Sequence, residues 1–370
     1  MSDGKRILLM GCGGIGGVMA ANLLERGADL TCVTHNPEIA SAVERNGIEV
    51  RQEGSPKRVP ARAFVDIPAG ADRFDFALLA TQPPQVVDAA RAALPYLRPE
   101  GAMVCLQNGL CEERVQAVAG PDRTIGAIVA WGASMLSPGV YERTSEGGFM
   151  IGRLDGRGDE RFWALREILA PIGETQVTHN LRGARWSKLA LNCCISSLGT
   201  IGGERLGALV GHRFVRRLGL EIMTEAVAVA RVRDVVLEKV SGTIDLDWVA
   251  LTPADVRNGS PSLMVKHALL LAVGAKFRRL RSSMLAAIER GREPAVDFLN
   301  GEVVTRADES GIPVPLNRRV QEVIHAIARR DLRPGLSLLR RLYEETRDAV
   351  NTATTAGHRP AAGSQELRAG

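Results

Sequence analysis

No apolar run in the 370-residue sequence approaches the ~20 residues needed to cross a bilayer. The first residues also lack the charged-then-apolar layout of a secretory leader. The chain is therefore expected in the cytoplasm, with no membrane partner. Cysteine is sparse, at positions 12, 32, 105, 111, 193 and 194, and shows neither CxxC nor metal-ligand spacing. These residues read as reduced core thiols, and no metal is expected. A strong excess of one charge is missing too: the formal net charge is +5. The basic pairs Arg329-Arg330 and Arg340-Arg341 fit solvated helix faces, and no nucleic-acid motif accompanies them.

What is present is a composition of 45% hydrophobic and 24% charged residues, suited to two domains with ample core. The first begins with a strand-like run, Arg6 to Met10, then Gly11-Cys12-Gly13-Gly14-Ile15-Gly16-Gly17, then a helical pattern from Val18 to Arg26 closed by Gly27. Strand, GxGxxG and helix in this order are the context of a dinucleotide-binding turn. Gly11 allows the tight turn, Gly13 lets backbone approach a pyrophosphate, and Gly16 lets helix pack on strand. The helix N-terminus then offers N–H groups and partial positive charge to the phosphates.

The second strand, Asp29 to Thr34, ends at His35-Asn36 without the Asp or Glu that would hold a ribose 2′-hydroxyl. Loss of that carboxylate favours NADP(H) over NAD(H), and a protonated His35 would cover a phosphate. Strands and helices alternate to about residue 130, predicting a parallel sheet. They include the strands Phe76 to Ala80 and Ala102 to Leu106 and a helix over Gln85 to Leu94. Asn108, after the latter strand, lies where ligands gather. A β-like stretch from Gly126 to Gly152, a helix near Glu160 to Leu169 and a strand near Gln176 follow.

After Asn180 nearly everything is helical, with amphipathic patterns over Arg217 to Val236, Pro261 to Val273, Phe277 to Glu289 and Val296 to Glu309, and breaks at Gly242, Pro253 and Pro294. The expected organisation is an α/β domain over 1–179, an all-α domain over 180–350 and a disordered tail over 351–370. Within the apolar helix pattern from Trp186 to Leu198, Lys188, Asn192 and Ser196 recur every fourth residue. Residues at that spacing share one face. A buried unpaired ammonium is costly, so the stripe reads either as the wall of a polar site or as a lysine reaching solvent at the helix edge.

Taken together, the glycine turn, Gln107-Asn108-Gly109, the Trp186-x-Lys188-Leu-Ala-x-Asn192 segment, Ser282-Ser283-Met284 and Val296-Asp297-Phe-Leu-Asn300-Gly301 make the chain resemble the ketopantoate reductase (2-dehydropantoate 2-reductase) family over roughly residues 5 to 350. The resemblance implies a Rossmann-type domain followed by a helical domain like the 6-phosphogluconate dehydrogenase C-terminal domain. It also implies hydride transfer from NADPH to the carbonyl of a 2-keto acid. Lys188 would be the proton donor; Asn192, Ser196 and Ser283 would meet substrate, and Asn108 both substrate and cofactor. Gly11, Cys12, Gly13, Gly14, Ile15, Gly16, His35, Gln82 and Ala133 would meet the cofactor.

Four departures from the family pattern stand out. Ala295 replaces a common glutamate, for which Glu293 or Glu302 would substitute only if the backbone carried one inward. Ser196 stands for a second substrate asparagine, Gln82 for a lysine, and His35 for an arginine. Ser196 leaves more room than asparagine, so a bulkier or less polar substrate is expected. Alternative readings are an NAD-dependent 2-hydroxy acid dehydrogenase of the same superfamily and a non-catalytic dinucleotide-binding module. A homodimer is expected from the apolar helix faces, with a keto or hydroxy acid as the small-molecule partner.

Overall fold

The computed structural model describes residues 4–51, 56–240, 244–257 and 260–356. It divides into two compact units, Met1–Arg185 and Trp186–Gly370.

The strands of the first unit are β1 (Arg6–Met10), β2 (Asp29–Val33), β3 (Ile48–Arg51), β4 (Lys57–Val59), β5 (Ala63–Phe64) and β6 (Phe74–Leu79), followed by β7 (Leu97–Cys105), β8 (Thr124–Val129), β9 (Gly132–Ser137), β10 (Val140–Ser145), β11 (Phe149–Gly152) and β12 (Thr175–Val177). Its helices are α1 (Gly14–Glu25), α2 (Pro37–Asn46), α3 (Val86–Ala93), α4 (Cys111–Ala119) and α5 (Arg161–Leu169). An eight-stranded sheet has the order β12-β11-β8-β7-β6-β1-β2-β5, and a four-stranded sheet the order β4-β3-β10-β9. Ile7 to Met10 are buried, as is every residue of β6. Continuous apolar runs of this kind mark strands covered on both faces. β1 pairs in parallel with β2 on one side and β6 on the other. The chain therefore changes winding direction at β1, the position where open α/β sheets leave a crevice at their strand ends. The smaller sheet packs on α1.

In the second unit, α6 (Leu181–Gly202, begun within the first unit) is followed by α7 (Leu206–Val210), α8 (Arg213–Val232), α9 (Leu246–Val249) and α10 (Pro253–Arg257). Then come α11 (Pro261–Lys276), α12 (Ser283–Glu289), α13 (Asn300–Ser310), α14 (Pro315–Ala328) and α15 (Leu336–Ala356). α8 is buried almost all round and meets α7, α9, α11, α13, α14 and α15, which makes it the core helix. Among its buried polar groups, Arg217 Nε donates to Glu221 Oε1 at 2.6 Å, and the Glu225 carboxylate accepts Leu316 N–H at 2.9 Å and Asn317 N–H at 2.8 Å at the start of α14.

Several elements differ from the sequence expectation. The helix expected over Phe277 to Glu289 exists only from Ser283, because Phe277 closes α11 and the Leu280 carbonyl turns to accept Leu206 N–H at 2.9 Å from α7. The helix expected from Val296 begins at Asn300, behind a 3-10 turn over Ala295–Phe298. The expected break at Pro253 falls where α9 has ended at Val249 and Pro253 opens α10, and Gly242 lies outside the described residues. α15 runs through Ala356, six residues into the expected tail, whose remainder lies outside the described residues.

Candidate active site

The glycine turn has the geometry its spacing requires. Gly11 holds φ +106°, and a Cβ there would lie 2.8 Å from the backbone of Ala80 on the neighbouring strand. A Cβ on Gly16 would collide with the Gly11 carbonyl oxygen. Gly13 is different: a Cβ there would meet nothing within 4 Å, so open space lies above it. Gly13 is also the N-cap of α1, with no side-chain cap and no acidic residue in the first turn. The helix therefore presents its uncapped N–H groups beside that space. Gly14 faces β9, where a Cβ would sit 2.7 Å from the Ala133 carbonyl oxygen, so the Ala133 backbone stands at the turn. Cys12 is buried, and Ile15 is half-buried.

Tyr141 on β10 holds the turn from beneath. Its hydroxyl donates to the Cys12 carbonyl at 2.9 Å, its ring occupies the place a Cβ on Gly17 would need, and burial pushes its phenol up from the ordinary value. Sequence reasoning missed it, since a contact spanning 129 residues leaves no local pattern.

His35, after β2, is exposed, and Asn36 caps α2 by accepting Glu38 N–H at 2.8 Å. Gln82 is exposed after β6. Gln107 is buried, and its Nε2 donates to Thr81 Oγ1 at 3.2 Å, tying the ends of β6 and β7 together. Asn108 follows, exposed, before Gly109 turns the chain back at φ +90°. Arg185 secures this loop: its guanidinium donates to the carbonyls of Gln107 at 2.8 Å and Cys105 at 2.9 Å and pairs with Glu112. Burial raises the Glu112 carboxyl above its ordinary value, an effect that the charge of Arg185 offsets in part.

In the second unit α6 is buried throughout from Gly183 to Gly202 except along one stripe, where Lys188, Leu191, Asn192, Ile195 and Ser196 are half-buried. The three polar residues marked by sequence thus share one partly open face with two aliphatic side chains. Other polar groups of the helix are tied inward. Ser187 Oγ donates to the Glu238 carbonyl at 2.6 Å, and Ser197 Oγ to Asn300 Oδ1 at 2.7 Å. Asn300 in turn donates to Asn317, which donates to Glu225. Burial pushes the Glu225 carboxyl up to about 7 against these stabilising bonds. Asn300, part of the motif that carried the family resemblance, is therefore a fully buried structural residue.

Ser282 caps α12, and its hydroxyl lies 3.0 Å from the Ser196 carbonyl and 2.8 Å from Thr200 Oγ1. Gly199 makes this possible, since a Cβ there would lie 2.9 Å from Ser282 Cβ. Ser283, exposed at the first helical position, is thereby brought beside the Ser196 turn of α6. Ala295 is half-buried; Glu293 is exposed, while Glu302 is buried and pairs with Arg306 at 2.9 Å. Of the two, only Glu302 is carried inward. Among the described residues no group of three or more His, Cys, Asp or Glu side chains is placed to hold a metal ion.

A model of the family described as ketopantoate reductase PanE/ApbA matches residues 7–156, and one of that family's C-terminal domain matches residues 180–328. The chain belongs to the ketopantoate reductase family. It is an oxidoreductase acting on a keto group. It is 26% identical to the 2-dehydropantoate 2-reductase of Pyrococcus horikoshii over 84% of this chain and 94% of that one. With the Halobacterium salinarum 2-dehydropantoate 2-reductase the identity is 28%, over 88% and 99%. A crystal structure of a PanE/ApbA family ketopantoate reductase from Ralstonia eutropha JMP134 superposes with a TM-score of 0.73 at 24% identity, covering 88% of this chain and 99% of that one. The ternary structure of D-mandelate dehydrogenase with NADH and anilino(oxo)acetate gives 0.74 at 17% identity, covering 87% and 98%. At these identities the superpositions describe a shared fold.

Proposed function

We propose that this ketopantoate reductase family member is a cytoplasmic, homodimeric NADPH-dependent reductase of 2-keto acids in which Lys188 is the proton donor. The observation that carries the reading is the one partly open stripe of α6, where an ammonium, an amide and a hydroxyl stand on a helix whose other faces are closed.

The turn residues fit a dinucleotide: open space above Gly13 and the uncapped start of α1 suit a pyrophosphate, and the Ala133 backbone borders them. A nicotinamide dinucleotide held there supplies the hydride for the carbonyl carbon. Lys188 hydrogen-bonds the carbonyl oxygen and gives it a proton as charge develops, the kind of stabilisation that dominates many enzymatic barriers. Asn192, Ser196 and Ser283 orient the acid's polar groups, and Asn108 serves both substrate and cofactor. Leu191 and Ile195 border Lys188 on the same face, so an apolar substituent on the keto acid fits better than a hydroxylated one. NADPH is preferred because no carboxylate at the end of β2 repels a 2′-phosphate.

The reverse reaction with NAD is the second reading. His35 is the one basic residue from Thr34 to Glu38, and histidine, unlike arginine, holds no permanent charge for a 2′-phosphate. Initial rates with NADPH and NADH, across apolar 2-keto acids and the corresponding hydroxy acids, separate the two readings. Lys188→Ala is expected to lower kcat at least about tenfold, equivalent to ~1.4 kcal/mol. A smaller loss removes Lys188 from the chemistry.

A further inference from the structure

We propose that the cavity between α7 and α11 is a second ligand site, which takes a small anionic amphiphile with a carboxylate or phosphate head and an apolar tail. The cavity is about 400 Å³ and is lined by Arg205, Gly207, Val210, Leu271, Arg278 and Arg279 among others. That is the size of a small-molecule site.

Three arginine side chains, all on exposed residues, border it from two parts of the chain. Among the described residues none of the three makes a hydrogen bond or ion pair, whereas Arg281, two residues further on, pairs with Glu289 at 2.6 Å. Arginine forks match carboxylate and phosphate oxygens in pairs. His267 lies one turn before Leu271 on α11, is 8% exposed, and has an Nδ1 atom without a hydrogen-bond partner. Burial and the charges of Arg216, Arg213 and Arg217 push its imidazole down to about 4. An anion bound among Arg205, Arg278 and Arg279 would offset the repulsion between their like charges.

The tail is called for by the opposite wall. Val210, Leu271 and Ala275 line it, with Leu271 48% exposed, and Met264, two turns before Leu271 on the same side of α11, is 73% exposed. A head group alone would leave this apolar strip in water.

The cavity communicates with a substrate residue through very little chain. Gly207 has no Cβ because one would lie 2.7 Å from Arg278 Cα, so α7 seats directly on the segment carrying both cavity arginines. That segment runs through Leu280, held by Leu206 N–H, to Ser282 and its bond to the Ser196 carbonyl. A head group bridging Arg205 to Arg278 and Arg279 pins the Phe277 to Ser283 stretch.

The test uses the full chain without dinucleotide or keto acid, so its failure leaves the reductase reading untouched. Octyl phosphate, octanoate and octanol, each below micellar concentration, are titrated by calorimetry, and amide exchange is followed over residues 277–289. At least one charged probe is expected to bind and octanol not; whichever anion binds tighter identifies the head. Exchange over 277–283 should slow on binding. Arg278→Gln/Arg279→Gln, and separately Arg205→Gln on α7, should each weaken binding about tenfold or more and abolish the slowing. Should the double variant unfold, Arg205→Gln decides alone. Equal binding of octanol, retention of affinity in a folded variant, or no binding of either anion overturns the proposal.

Discussion

Arg185 and Glu112 form an ion pair in which both side chains are 1% exposed. Gly126 makes room for the pair, since a Cβ there would lie 2.6 Å from Glu112 Oε1. Arg185 also donates to carbonyls at the end of β7, within β8 and in the Gln107 loop, so one buried cation fixes the backbone from which Asn108 projects. Removing one partner of such a pair strands the other, at a cost of about 3–5 kcal/mol. Arg185→Met is therefore expected to lower the urea midpoint sharply, and Arg185→Met/Glu112→Leu to recover much of the loss because no uncompensated carboxylate remains. A double variant no more stable than the single one would show that the carbonyl bonds matter more than the charge pair.

The glycines of the turn separate folding from binding. Gly13→Ala adds a methyl to open space at φ −75°, so the melting temperature should stay close to that of the parent while dinucleotide affinity falls, since the methyl occupies the approach of the phosphates. Gly16→Ala drives a methyl into the Gly11 carbonyl and should destabilise the fold before binding is considered. Thermal melts paired with fluorescence titration of NADPH test both; unchanged affinity in Gly13→Ala would place the pyrophosphate elsewhere.

These glycines were legible in the sequence because each spacing has a local backbone reason. The α6 stripe was legible for the same kind of reason, since helical period alone puts Lys188, Asn192 and Ser196 on one face. What escaped was long-range or depended on partners. Tyr141 and Arg185 act through contacts 129 and 78 residues away. The residues from Phe277 to Ser282 keep an apolar period but are drawn out of helix by α7 and by the Ser282 cap. Asn300 and Glu302, conspicuous as polar residues in the resemblance-bearing stretch and next to it, are consumed by buried bonds to Ser197 and Arg306.

Two buried groups of the helical unit tilt stability in opposite directions with pH. Glu225 titrates near 4.3 when unfolded and at about 7 when folded. Between those values the folded state holds the extra proton, so stability falls as pH rises. The full effect is on the order of 3 kcal/mol. His267, ordinarily near 6.5 and lowered to about 4 in the fold, is neutral when folded and protonated when unfolded in that interval. Its contribution is present above the unfolded value and is lost as pH falls. Urea unfolding from pH 4 to 8 should show Glu225→Gln abolishing the loss on the alkaline side and His267→Gln reducing the loss on the acid side. Parallel pH profiles for parent and both variants would mean that neither group carries the dependence.

Under the proposed function, the alanine at position 295 makes a testable difference to substrate choice. Ala295 opens a 3-10 turn in the helical unit and is half-buried, while Glu293 faces solvent and Glu302 is paired with Arg306. A site that hydrogen-bonds a substrate hydroxyl discriminates strongly against analogues lacking it, whereas an apolar site rejects an added hydroxyl only weakly. As it stands the chain should reduce apolar 2-keto acids at least as well as hydroxylated ones of similar size. Ala295→Glu should then raise kcat/KM for a hydroxylated 2-keto acid relative to its deoxy analogue by about tenfold, or ~1.4 kcal/mol. Competition between the two substrates for one enzyme sample reads this ratio directly, and Ala295→Gln separates hydrogen bonding from charge. If neither variant moves the ratio, position 295 does not face the substrate, and the apolar preference must come from Leu191 and Ile195 instead.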